Sequence, residues 1–455
     1  MKDRVAANPN RYAVYDDNHN FLRYEYHERA DNPTEVGTPL NKGTLLADET
    51  AAALGLAGDA TVNDGLAKLA LGPFKIGDTL STLRTDLGNK WLLCNGAVVD
   101  ATVYPSLYAL LSAVISGAAV GGYGTPRDIA SDGTTYVACG YDHTTSKAFI
   151  KYSTDPAGSS VWTSVNIVGS YGWRPTKVAV HDGMWVAIGH STDTHVPFIA
   201  TATDPTGDWT VQNISEYECY LTGLAFAFGQ WIAVGSDGTG ANTRAFTTAN
   251  PLSSWAVTTI NTADSFMLED LEFNGTVLCA VGYGKYNNYP YALVKEGASG
   301  SWVLKKLSST LYFHLNSIAY ASGMWVAAGQ YTSTLLAAVY ASADLITWTF
   351  KQIVNSPVAY NGAFVGYWNE SWHVGFSGNG YYPAVATAAD PLLEWGVTKL
   401  SDSDYDIYGL ASTQQYLFIL GMDHSSSNTV ASMLLKRLPQ ISINGVYTYI
   451  KALEG

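Results

Sequence analysis

Positive charge is scarce in this chain: its 455 residues carry 25 lysines and arginines against 39 aspartates and glutamates, a formal net charge of −14. Such a surface repels a phosphate backbone, so nucleic acid is excluded as an expected partner. Cysteine is sparse too. Cys94, Cys139, Cys219 and Cys279 lie far apart without a CxxC pair, which argues against both a disulfide framework and a zinc site and leaves four small buried hydrophobes. Long apolar runs are missing. The longest, Leu107 to Gly122, is broken by Ser112, Ser116 and Gly117, and the start "MKDRVAANPN" has no apolar core. Neither a membrane span nor an export leader is therefore expected.

What the chain does have is hydrophobic content of 47% with only 14% charged residues, enough to bury a large core. It also repeats itself. "DGMWVAIG" ends at Gly189, "FGQWIAVG" at Gly235 and "SGMWVAAG" at Gly329, and weaker copies end at Gly140, Gly282, Gly375 and Gly421. The spacings are 49, 46, 47, 47, 46 and 46. A tryptophan follows each of the first six glycines by 19 to 22 residues, at Trp162, Trp209, Trp255, Trp302, Trp348 and Trp395.

Each unit reads as four short strands. In the second these are Lys177 to Val180, Met184 to Gly189, Pro197 to Ala202 and Trp209 to Ile214, separated by "HDG", "HSTDTH" and "TDPTGD". The second strand is apolar at nearly every position, as expected where neighbours cover both faces of a sheet. Four-strand units of 40 to 50 residues are the signature of a β-propeller. The expectation is a mainly β protein, a seven-bladed β-propeller of four-stranded blades over residues 126–437, with a small α/β N-terminal anchoring region.

The third turn of several units ("STDPAGSSVW", "TATDPTGDW", "ASADLITW") resembles the Asp-box hairpin of sialidase-like propellers, which implies turn-fixing roles for Asp155, Asp204 and Asp344. Outside the repeats, Arg11 to Tyr15 and Phe21 to Glu28 read as a hairpin around "DDNHN", while "ETAAALGL" and "VNDGLAKLAL" read as short capped helices. The run Glu28 to Ala70 resembles the N-terminal segment of tail or baseplate proteins of phages and prophages of Gram-positive bacteria. "KWLLCNGAVVDATVYPSLYALL", Lys90 to Leu111, resembles the phage tail-collar module, and "LPQISINGVYTYIKALEG", Leu438 to Gly455, resembles that module's closing strand. The resemblance implies residues 1–89 as a tail or baseplate attachment region, with 90–125 and 438–455 as two parts of a collar-like module into which the propeller is inserted. Either Leu111 to Gly121 or Leu438 to Ile450 is then placed to supply the outer strand that the seventh unit lacks.

In a four-stranded blade the first–second and third–fourth connections share one face, and the second–third and inter-blade connections share the other. The first face carries monotonous turns. The second carries aromatic rings beside carboxylates and amides, chemistry suited to a sugar or a protein epitope. Tyr171, Trp173, Tyr217, Tyr286, Tyr289, Tyr312, Tyr381, Tyr382 and Tyr405 are the candidate receptor contacts. Asp142, His143, His190, Asp193, His195, Asp423 and His424 share one loop position on adjacent units, yet solvated polar loops explain them better than a metal, and no metal or cofactor is expected.

No catalytic residue is assigned. Arg127, Arg174, Arg244 and Arg437 look scattered among units, unlike a converging sialidase site, although Glu216, Glu218, Asp264, Glu269, Asp402 and Asp404 leave room for an acid/base pair. The expected function is attachment of a virion, through its tail tip, to a host cell-surface glycan or protein, with other tail proteins as partners and a homotrimer as the expected oligomer. A polysaccharide depolymerase and a structural tail-tip component are the alternatives.

Overall fold

Two consecutive residues of positive φ fold the chain back at Asp182–Gly183 (47° and 74°), Phe228–Gly229, Ser322–Gly323 and Asn369–Glu370. This left-handed pair is the type I′ hairpin turn, whose twist matches that of the strands it joins. At the corresponding places in two other repeats a side chain does the work. Asp132 Oδ1 accepts the N–H groups of Thr134 and Thr135 at 2.9 and 2.8 Å, and Asn274 Oδ1 those of Thr276 and Val277 at 2.9 and 2.7 Å.

The computed structural model describes residues 120, 124–156, 162–167, 172–260, 265–356, 359, 362–377, 382–400, 405–413 and 416–424. It also describes the backbone of strands at 11–15, 21–26, 79–81, 91–93, 95–98, 114–116, 430–437, 440–442 and 448–451. Among the described residues there is no helix. The expected helices "ETAAALGL" and "VNDGLAKLAL" lie outside them.

Six antiparallel blades are each built from four consecutive strands. In blade 2 these are Trp173–His181, Met184–Ser191, Pro197–Ala202 and Thr210–Asn213. The expectation of seven such blades needs correction. The last repeat supplies only three strands, Tyr405–Ser412, Tyr416–Asp423 and Val430–Arg437, and its fourth, Val114–Ser116, comes from ahead of blade 1. Leu434, Leu435 and Lys436 pair there with Ser116, Ile115 and Val114. The first strand of this composite sheet packs between those of blades 6 and 1, so the sheet joins the two ends of the row of repeats.

The unbroken apolar run of each second strand follows from radial stacking. Trp185 and Ala187 pack on Val137 and Cys139 of blade 1, while Val186 and Ile188 pack on Trp231 and Ala233 of blade 3. Successive side chains point to opposite sheet faces, and both faces are core. Cys139, Cys219 and Cys279 are buried free thiols, as expected.

The repeated glycine has a separate cause. In blades 1 to 5 and in the composite sheet the ladder slips by one residue opposite it, as between Leu268 and Asp270 across from Gly282 and Val281. This β-bulge drives a first-strand carbonyl against the glycine: a Cβ on Gly282 would lie well inside contact with Met267 O, and one on Gly329 with His314 O. Blade 6 pairs without a slip. There a Cβ on Gly375 would meet nothing nearer than Leu410 Cδ1 at 3.2 Å.

The chain divides into two compact units, Asn95–Ile443 and Met1–Cys94 with Asn444–Gly455. Besides the propeller, the first contains the paired strands Asn95–Val98 and Gln440–Ser442. The second contains the expected hairpin, Arg11–Tyr15 with Phe21–Tyr26, and a three-stranded sheet ordered Thr79–Ser81, Thr448–Lys451, Trp91–Leu93.

Candidate functional site

On the face of the second–third and inter-blade loops, one backbone device recurs five times. Ser146, His195, Gly240, Asn288 and Leu335 all have positive φ, from 53° to 70°. Their carbonyls accept the N–H of Gly172 (3.0 Å), Cys219 (2.9 Å), Phe266 (2.8 Å), Phe313 (2.8 Å) and Ala359 (2.6 Å), where the next blade begins. Left-handed backbone at a non-glycine costs about 1 kcal/mol or more, and here each instance ties a loop to its neighbour. The loops are thereby preorganised.

The aromatic candidates divide on this frame. Tyr217, Tyr286 and Tyr312 stand out from it, 65%, 76% and 56% exposed. Tyr289 stacks on Tyr312 at 5.5 Å with planes 10° apart, Arg244 lies 5.3 Å from the Tyr217 ring, and Lys399 lies 4.4 Å from the half-buried Tyr382 ring. Trp173 and Tyr405 do not belong with them. Both are buried, as first residues of their strands, because each ring fills the space over a motif glycine, Gly189 and Gly421 respectively. Tyr171 and Tyr381 lie outside the described residues.

The bulges create a second locus. The extra residue of each slip is Arg127, Thr176, Thr222, Glu269, Asn316 or Tyr408, and all six line the central channel. At the channel mouth on the loop face is a cavity of about 260 Å³, walled by Arg127, Arg174, His143, His190, Tyr220 and Glu269. Arg127 and Arg174, which look unrelated in sequence, therefore meet. Arg174 Cζ sits 4.9 Å from the Tyr141 ring and Arg127 Cζ 5.2 Å from the Tyr408 ring.

Electrostatics at the mouth follow from enclosure. Burial, helped by His195, Arg174 and Arg127, pushes His190 down to about 4. His143 is lowered by burial and by the same two arginines, and its Nε2 lies 2.7 Å from Thr125 Oγ1. Burial raises Glu269 to about 7, against the pull of Arg127. Deeper in the channel Lys177 Nζ pairs with Asp270 Oδ1 at 2.8 Å, and burial is outweighed there by Asp270 and Asp128, which hold the ammonium above its usual range. Burial also raises Glu272 to about 8.

The loop acids and histidines find local partners. His424 Nε2 lies 3.1 Å from Asp406 Oδ2, His195 Nδ1 lies 3.5 Å from Glu218, and Asp142 Oδ1 accepts from Thr144 and Thr145. Among the described residues no group of three or more His, Cys, Asp and Glu side chains converges on a common point. The Asp204 and Asp344 carboxylates accept N–H groups within their own turns, from Thr206 at 2.9 Å and from Ile346 and Thr347 at 2.8 Å. They act as turn formers. Asp264, Asp402 and Asp404 lie outside the described residues.

No protein-family model and no curated protein sequence matches this chain. Among solved structures it is similar to an ulvan lyase, a polysaccharide lyase seen bound to -[GlcA(1-4)Rha3S]-, with 9% identity and a TM-score of 0.53 over 72% of this chain and 96% of that one. It is also similar to YCF48 bound to a D1 peptide, with 11% identity and a TM-score of 0.48 over 78% and 99%. At such identities the likeness is one of fold: the chain is a β-propeller of four-stranded blades.

Proposed function

We propose that this chain is a receptor-binding protein that holds a glycan on the loop face of its propeller, with the composite sheet serving as the seventh blade. The observation that carries the reading is the trio of exposed rings, Tyr217, Tyr286 and Tyr312, standing on loops whose backbone is already tied down. Exposed tyrosines on a rigid frame offer flat apolar faces and hydroxyls at little entropic cost. Isolated exposed rings need no explanation, but three on one preorganised face do.

The placement of such a protein at a phage tail tip rests on the likeness of Lys90–Leu111 and Leu438–Gly455 to tail-collar modules. In that role the unit built from both chain ends attaches to tail or baseplate proteins, and a homotrimer multiplies weak sugar contacts. The test is incubation of the full chain with bacterial cell-wall and capsular polysaccharides, scoring bound protein and released reducing ends together. Binding without release is expected, reduced at least tenfold by Tyr286→Ala with Tyr312→Ala at unchanged melting temperature. Equal binding by that variant refutes the aromatic site.

A second reading, depolymerisation on the same scaffold, is favoured by Glu269, a carboxyl raised to about 7 within reach of a cavity that also holds His190 and Tyr220. Release of new chain ends in the same assay, lost in Glu269→Gln, would replace the first reading with this one.

A further inference from the structure

The channel mouth carries more than the aromatic rim explains. Arg127 and Arg174 come from adjacent blades and face one cavity of about 260 Å³. Neither guanidinium makes a hydrogen bond or ion pair to a protein group among the described residues. Their recorded neighbours are ring faces, Tyr408 under Arg127 and Tyr141 under Arg174. A guanidinium stacked on a ring keeps its in-plane N–H donors free, and those donors match a planar or tetrahedral oxyanion. Arg127 is open to channel water, while crowding by the surrounding ring of strands lowers its pKa despite the opposing influence of Tyr408 and Glu269.

Both guanidiniums are reached by solvent, and two cations with no carboxylate partner on one cavity wall leave their N–H donors to a ligand. A third observation points the same way: His190 Nδ1 is buried with no hydrogen-bond partner, and the ring is held neutral near neutral pH. Its neighbours Tyr220, at 4.8 Å, and His195 are rings as well. A cavity of about 260 Å³ suits one sugar residue or a small oxyanion.

We infer that the channel mouth is an anion-binding site in which Arg127 and Arg174 hold the carboxylate or sulfate group of an acidic saccharide, with His190 offering a neutral hydrogen-bonding edge. The saccharide half of this assignment rests on the glycan-binding function proposed above. Glu269, on the same wall, sets the condition for occupancy. Ionised, it competes with the anion for Arg127; protonated, it does not. The other charged groups around the site are His143 and His195 at the mouth and Asp128, Lys177 and Asp270 deeper in the channel, with Glu218 beside His195. None of the deeper groups lines the mouth cavity itself.

The test is calorimetric titration of the full chain with glucuronate, a sulfated monosaccharide, glucose and inorganic sulfate. Acidic sugars are expected to bind and glucose not. Arg174→Gln should weaken acidic-sugar binding at least tenfold, and Glu269→Gln should strengthen it at pH 8 and flatten its rise on acidification. Arg174 is exposed, so its variant should keep the wild-type melting temperature, which separates a lost contact from a lost fold. Binding of acidic sugars that is unchanged in Arg174→Gln, or equal binding of glucose, overturns the site. Arg174-dependent binding of inorganic sulfate but of no saccharide keeps the anion site and removes the glycan. Polysaccharide binding that depends on Tyr286 and Tyr312 but not on Arg174 removes the anion site and keeps the glycan.

Discussion

Replacing a motif glycine by alanine should be severe where the ladder slips and mild where it does not. In Gly282→Ala the new Cβ falls well inside contact with Met267 O and near Phe266, both fixed in the first strand of blade 4. A carbonyl cannot swing aside like a side-chain end. The strand must retreat by more than 1 Å, an overpacking cost of about 1 to 3 kcal/mol, and the retreat loosens the pairs Leu268 with Gly282 and Asp270 with Val281, at about 1 kcal/mol for each hydrogen bond lost. The total is roughly 3 to 5 kcal/mol. In Gly375→Ala the nearest atom is Leu410 Cδ1 at 3.2 Å, the end of a side chain that can give way. Alanine also lowers the entropy of the unfolded chain, worth about 0.4 to 1 kcal/mol in its favour, so the net change should stay within about 1 kcal/mol of zero. Urea unfolding followed by tryptophan fluorescence, at constant m-value, measures both. A loss below about 1 kcal/mol for Gly282→Ala, or equal losses for the two variants, refutes the bulge as the reason for the repeated glycine.

Glu370→Gly should stabilise the chain by about 1 kcal/mol, because Glu370 holds φ at 57° where three sister turns have glycine; an unchanged midpoint in the same urea assay would count against strain at that turn. Asp270→Ala should cost about 3 kcal/mol or more, since it leaves the Lys177 ammonium and the Ile318 N–H without the carboxylate they share; a loss under 1 kcal/mol by denaturant titration would show the pair to be dispensable. Thermal stability should rise as pH falls from about 8.5 and level off near pH 6. Glu269 and Glu272, raised to about 7 and 8 in the folded chain, take up protons there before the unfolded chain does, so stability rises as pH falls from about 8.5. His190 and His314, lowered to about 4, are instead protonated first in the unfolded chain, which offsets the carboxyl gain below about pH 6.5. Glu272→Gln should flatten the alkaline limb, and a melting temperature that climbs steadily from pH 6 to 8.5 would contradict the assignment.

The repeat was legible because its causes are local. A second strand buried on both faces must be apolar throughout, and the bulge demands glycine at its end, so "GMWVAxG" recurs and the blades could be read from it. The outer strand of the last sheet was legible only as a gap, since Val114–Ser116 has no partner near it in the sequence. The site was harder. Trp173 and Tyr405 look like their exposed counterparts, and what buries them is a glycine some 16 residues further on. Arg127 and Arg174 looked scattered because their convergence depends on the bulge that turns Arg127 into the channel. One signal was present: "GTPRD" and "WRPTK" place a proline at the same point ahead of the motif glycine in adjacent repeats, with an arginine directly beside it.

The borrowed strand of the composite sheet has a consequence in time. Val114–Ser116 leaves the ribosome about 300 residues before its partner Val430–Arg437, a wait of roughly 15 to 60 seconds at typical synthesis rates. Blades 1 to 6 hold all their own strands and can form during that interval, whereas the seal cannot. A nascent or truncated chain thus exposes two unmatched edges until its last repeat arrives, and the arrival of one late segment turns a row of sheets into a locked ring.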